Sequence, residues 1–174
     1  MTRNDNKKQL EKELVLFELG KEIYGVNISV VIEIIRMQPI TRVPKAPFFV
    51  EGVINLRGKV IPIVDMRKRF GLPEAEQNKD NRIMVLDSGG QNIGIIIDAV
   101  TEVLRIPSDS VEPPSDIIVS AAADYLLGIA KHDKTMIILL DMDRVLAKDG
   151  LIATSIAKDL ESTETIKAEK IAVS

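Results

Sequence analysis

A single histidine, His132, and no cysteine limit the chemistry open to this chain. Nucleophilic catalysis with a histidine base would have to use His132. It stands in LGIAKHDKTMI, between two apolar runs, where a solvated turn is the simpler reading. Disulfides and thiolate metal sites are excluded with the cysteines, and a histidine-rich metal site with the lone imidazole. Carboxylates remain. Asp65, Asp87, Asp98 and Asp141 each close an apolar run. Paired, such acids do general acid–base work. Alone at the end of a strand, they accept backbone N–H bonds in turns and helix caps. Asp65 and Asp141 precede the short helix-like pieces MRKRFG and MDRVLAKDG, so capping accounts for them. Asp141-Met142-Asp143 begins like a calcium loop, but Val145 fills its fifth position and the glycine is misplaced. No crossover helix follows Gly89-Gly90-Gln91-Asn92-Ile93-Gly94, so it is no dinucleotide fingerprint. Gly58-Lys59 lacks the Ser/Thr and the upstream glycine of a phosphate loop. The chain is expected to be no enzyme and to hold no cofactor and no metal.

One polar knuckle, Arg57-Gly58-Lys59 in NLRGKVIPIVD, precedes a buried apolar run. Residue types alone leave Arg57 open between a solvated turn cation and a recognition group.

Composition narrows the partners. Hydrophobic residues make up 45% of 174, enough for a core, and aromatics only 3%, so that core is aliphatic. The net charge of −3 argues against a nucleic-acid binder, which needs a basic surface and stacking aromatics. The charged start MTRNDNKKQLEKE has no apolar h-region, so no signal peptide is expected there. The apolar stretches fall short of the roughly 18 residues of a membrane span. A cytoplasmic protein with no direct membrane insertion is expected.

The elements that must position these residues occur twice. VLFELGKEIYGVNISVVIEIIR (15–36) aligns with MVLDSGGQNIGIIIDAVTEVLR (84–105). Gly25 meets Gly94, Glu33 meets Glu102 and Arg36 meets Arg105, all at an offset of 69 (94 − 25, 102 − 33, 105 − 36). GVINLRGKVIPIVD (52–65) aligns with GIAKHDKTMIILLD (128–141) at an offset of 76 (128 − 52, 141 − 65). Each module reads as a hairpin, a short apolar segment, a proline-rich loop, a second hairpin and a helical turn. Four or five short Val/Ile-rich strands per module suggest a small closed barrel. Modules of this size are marginal alone and must pack on each other. Ile152, Ile156 and Leu160, at i, i+4 and i+8, read as a terminal amphipathic helix.

Taken together, LVLFELGKEIYGVNISVVIEIIR, PFFVEGVINLRGKVIPIVDMRKRFGL, IMVLD with IGIIIDAVTEVL, and YLLGIA with MIILLDMDRVL resemble the CheW family, the coupling proteins of bacterial chemotaxis. The resemblance runs from about residue 12 to 148. It implies a mainly all-β fold of two SH3-like five-stranded β-barrel subdomains on a common hydrophobic core, with short helices. Residues 1–12 would then be a flexible N-terminus and 13–150 the domain, with barrels at about 13–80 and 81–150. Residues 151–174 would be a tail, helical at its start.

The implied function is an adaptor joining chemoreceptors to the histidine kinase CheA. A scaffold of a non-flagellar chemosensory pathway, or a β-barrel nucleic-acid module, stand as alternatives. The implied partners are the regulatory domain of CheA and the cytoplasmic tips of methyl-accepting chemoreceptors, whose arrays would recruit the protein to the inner face of the membrane. Matched position by position, Val31, Glu33, Arg57 and Val103 fall in the receptor groove. Gly58, Lys59 and Val60 fall on the kinase surface of the first barrel, and Glu112 and Ile117 on that of the second. Glu112 departs from the family, which often has a basic residue there, so that contact depends on a compensating charge in the partner.

Overall fold

The computed structural model describes residues 11–113 and 125–146. Eleven strands lie in these residues: β1 (Glu11–Leu19), β2 (Glu22–Asn27), β3 (Val31–Arg36), β4 (Val50–Leu56), β5 (Lys59–Asp65), β6 (Arg82–Ser88), β7 (Gln91–Ile97), β8 (Ala99–Pro107), β9 (Val111–Glu112), β10 (Leu126–His132) and β11 (Thr135–Leu140). A short helix, α1 (Met66–Arg69), follows β5, and residues 142–146 are helical after β11. Residues 11 and 12, expected in a flexible terminus, pair with Pro107 and Ile106. The expected terminal helix falls outside the described residues.

The strands form two sheets, in the orders β8-β1-β2-β11-β10-β9 and β3-β6-β7-β5-β4. Neither closes, which corrects the expected pair of SH3-like five-stranded barrels. The fold is mixed β/α, two sheets with short helices, and the edges β3 and β4, like β8 and β9, do not pair with each other. The segments that would have to close the sheets explain it. Residues 37–49 carry Pro39, Pro44 and Pro47, and in place of a ladder they make with β4 the isolated bridge Thr41↔Val53 and a turn bond from Val50 N to the Pro47 carbonyl. Proline has no N–H to give a ladder. On the other sheet, β8 ends at Pro107 and β9 is two residues long.

The two repeats trade hairpins. β1–β2, from the first repeat, pairs with β8 and β11 of the second. β6–β7, from the second repeat, pairs with β3 and β5 of the first. The symmetry reaches the irregularities. β3 shifts register between Val31 and Glu33, and β8 does so opposite Leu16/Phe17, at Thr101. Ile32 and Thr101 are 69 apart. Leu139 lies opposite Gly25 as Ile63 lies opposite Gly94.

Both faces of both sheets are apolar, so strands such as IMVLD are buried nearly throughout. Val15, Phe17, Val64, Met84, Leu86, Ile95 and Leu140 fill the core between the sheets. Their alternates Ile61, Ile63, Ile83 and Val85 form a second cluster on the five-stranded sheet. Leu14, Leu16, Ile137 and Leu139 form a third on the six-stranded one. The repeat glycines lie where backbone and side chains meet most closely. A Cβ on Gly94 would stand 2.6 Å from Ile63 Cδ1 and 2.8 Å from Ile83 Cγ2. One on Gly52, at φ 144°, would strike the Thr41 carbonyl.

Candidate functional site

Arg57 and Gly58 are the two central residues of the β4–β5 turn, with φ of 51° and 84°. Two successive positive φ values match the right-handed twist of a tight hairpin. They also turn the Arg57 side chain toward β3, where Nη1 donates to Glu33 Oε2 at 2.8 Å. The arginine side chain stays 75% exposed and the glutamate 22%. Glu33 Oε1 is shielded and has no hydrogen-bond partner among the described residues.

Val31 is half-buried two residues before Glu33 and packs against the inter-sheet core. Ile32 and Ile34 point outward, 48% and 37% exposed. The structure thus brings Val31, Glu33 and Arg57 onto one end of the five-stranded sheet. Gly58, Lys59 and Val60 continue the same turn into β5, and Val60 is 51% exposed. Val103 stands on β8 of the other sheet, opposite Val15 and 54% exposed. Glu112 is exposed on the edge strand β9, opposite Ile129. Ile117 lies outside the described residues.

The acids that could have done chemistry are engaged in holding backbone. Asp65 Oδ1 accepts from the amides of Arg67 (2.9 Å) and Lys68 (3.3 Å) and caps α1. Asp141 Oδ1 accepts from Arg144 N at 3.2 Å. Asp87 Oδ1 accepts from Gly90 N at 3.1 Å in the β6–β7 turn. Asp98 accepts from Gly20 N at 2.8 Å and forms an ion pair with Arg67. Burial, helped by the Glu51 charge, pushes the Asp65 carboxyl up against the pull of the Lys68 and Arg67 amides. Burial also raises the Asp98 carboxyl, but the Arg67 guanidinium and the Gly20 amide outweigh it and hold it below the usual range. His132 ends β10, its ring 3.6 Å from Asp133.

Sequence reasoning missed the clamp made by Arg69. Its guanidinium lies over the rings of Phe49 (5.4 Å) and Tyr125 (4.9 Å), and Nη2 donates to the Tyr125 hydroxyl. The signal was present: Phe49 and Tyr125 are 76 apart, each three residues before a repeat glycine.

Two sheets with exposed apolar positions along their edges and turns, and with acids that serve caps, turns and ion pairs, define a protein-binding module. Residues 13–150 match the CheW-like domain family. The chemotaxis protein CheW of Klebsiella aerogenes is 32% identical over 148 residues, covering 84% of this chain and 89% of that protein. The CheW of Helicobacter pylori is 36% identical over 146 residues, covering 82% and 88%. The scaffolding protein TtCheW from Thermoanaerobacter tengcongensis superposes with a TM-score of 0.72 at 41% identity, over 78% of this chain and 92% of that one. The chain belongs to the CheW family. It is a chemotaxis adaptor and not an enzyme, coupling chemoreceptors to the histidine kinase CheA. No helix among the described residues is long and apolar enough to cross a membrane.

Proposed function

We propose that the receptor tip, a helical hairpin, lies in a groove bordered by Val31, Glu33 and Arg57 on one sheet and Val103 on the other. The regulatory domain of CheA then takes the adjoining knuckle Gly58-Lys59-Val60, and Glu112 and Ile117 supply a second kinase contact. The protein works in the cytoplasm and reaches the inner face of the membrane through receptor arrays. The observation that carries this is the Arg57–Glu33 pair. A non-glycine residue is held in a left-handed backbone, and its mostly exposed guanidinium meets a carboxylate whose other oxygen has no hydrogen-bond partner among the described residues. Strain kept at an exposed turn points to a use for it. The apolar neighbours Ile32, Ile34 and Val103 suit a helix laid in a groove, with the charges fixing its register.

The experiment is a titration of the labelled protein with a soluble receptor-tip fragment, followed by amide chemical shifts. Perturbation of both β3 and β8 supports the groove, and perturbation confined to one sheet rejects it. Val31→Asp and Val103→Asp should each abolish receptor binding and leave kinase binding in place.

A further inference from the structure

Among the described residues the chain crosses between the sheets twice, at Ile28–Val30 and at Asp98. The two crossings are built differently. At the first, Asn27 Oδ1 accepts from Ser29 N, a bond within its own segment. At the second, every polar group of one residue is used. Asp98 N donates to the Glu18 carbonyl of β1 at 3.0 Å. The Asp98 carboxylate accepts from Gly20 N in the β1–β2 turn and from Arg67 Nε (2.8 Å) and Nη2 of α1. The Asp98 carbonyl accepts from Asn81 Nδ2 at 3.1 Å, just before β6. Glu18 and Gly20 belong to the six-stranded sheet, and Arg67 and Asn81 to segments of the five-stranded one. Arg67 is itself tied by Nη1 to the Pro73 carbonyl at 2.9 Å.

The core between the sheets is Val, Leu, Ile, Met and Phe. Such packing is strong but non-directional. A forked, charge-assisted pair is directional, so it can set the angle at which the two sheets meet. Val103 lies five residues beyond Asp98 along β8, about 16 Å at strand rise. Turning the six-stranded sheet by about 10° about the crossover carries Val103 through about 3 Å, most of a side-chain contact.

We propose that Asp98, held by Arg67, is a positioning residue for receptor binding: it fixes the angle between the sheets and so the place of Val103 relative to Val31 and the Glu33–Arg57 pair. The inference rests on the groove described under Proposed function.

The test uses the full chain, Asp98→Asn and Arg67→Gln, at a temperature where melting curves show each variant folded. Backbone residual dipolar couplings read the angle between the sheets directly. Couplings of both wild-type sheets fit one alignment frame; those of the variants require two, or one with a changed angle. Receptor-tip affinity falls about three- to tenfold in both variants, a loss that lowered stability alone does not produce in a fully folded protein. An unchanged angle in both variants overturns the proposal. A changed angle with unaltered receptor affinity also overturns it, and Val103→Asp in the same titration says which premise failed. If Val103→Asp weakens binding, the groove stands and Asp98 does not tune it; if it does not, the groove itself is misplaced.

Discussion

Replacing Arg57 by glycine separates fold from recognition at one position. Arg57 sits at φ 51° in the β4–β5 turn. A left-handed backbone costs a non-glycine residue about 1–2 kcal/mol, and glycine removes that cost. Two terms oppose the gain. The Glu33 pair is lost, but with its arginine 75% exposed it is worth at most about 1 kcal/mol. The unfolded chain gains freedom, worth about 0.4–1 kcal/mol. The sum leaves Arg57→Gly within about 1 kcal/mol of the parent, a melting shift of a few degrees. Recognition has no such offset. A charge-assisted contact to a receptor carboxylate is worth about 1.5–3 kcal/mol, so affinity should fall about tenfold or more. Thermal melts and calorimetric titration with a receptor-tip fragment, on the same samples, measure both. A melting point lowered by more than about 10 °C with unaltered affinity would make Arg57 a structural peg and refute the reasoning. Unchanged stability with unchanged affinity would remove it from the groove.

Val60→Asp places a charge on a side chain already 51% exposed, so the fold should survive; kinase regulatory-domain binding should weaken by about tenfold or more, read by calorimetry beside a melt. Gly94→Ala forces a methyl against Ile63 and Ile83 and should cost about 1–3 kcal/mol in denaturant unfolding, with Gly58→Ala, where no atom lies within 4 Å of the added carbon, as the contrast for backbone strain alone. The folded-state pKa of Asp98 is depressed, so the stability it supplies is present above its unfolded pKa of about 4 and is lost as pH falls through the lower folded value. The stability gap between the parent and Asp98→Asn should therefore be flat near neutrality and shrink on acidification below about pH 4, as measured by urea unfolding.

What could be read from the residues was local. Gly25 and Gly94, or Gly52 and Gly128, stand at constant offsets because a Cβ at each would meet a neighbour within about van der Waals contact, so position and residue type are locked together. Asp65 and Asp141 were legible as caps for the same reason: an acid before a helical turn has one common use, and both accept N–H bonds there. Strand pairing across repeats was not legible. Hairpin β1–β2 carries the same apolar pattern on both faces as β6–β7, so either satisfies either sheet, and periodicity is blind to which one does. Sheet closure was misjudged because the pattern records strands and not their edges. The prolines of residues 37–49 were visible, but their effect on the β3 and β4 edges needs the topology. Arg57 was undecided in composition because its partner Glu33 is 24 residues away, and only the turn geometry aims one at the other.

The exchange of hairpins bears on how such a protein can transmit a signal without chemistry. Were each sheet made from its own repeat, the two halves would be beads on a string, and their angle would be set by packing alone. Here the five-stranded sheet is incomplete without β6–β7, and the six-stranded one without β1–β2. Neither sheet forms from one repeat, so the halves cannot part without breaking β-ladders inside both. The same exchange puts a crossover at each junction, and places Glu33 and Val103 on strands that begin just after a crossover. The residues proposed to touch a receptor therefore sit next to the two crossovers between the sheets. The proposed groove would divide the contact surface between two bodies, and the covalent and hydrogen-bonded joint at Asp98 is what would keep its two walls in register, so that an adaptor could pass a signal through geometry alone.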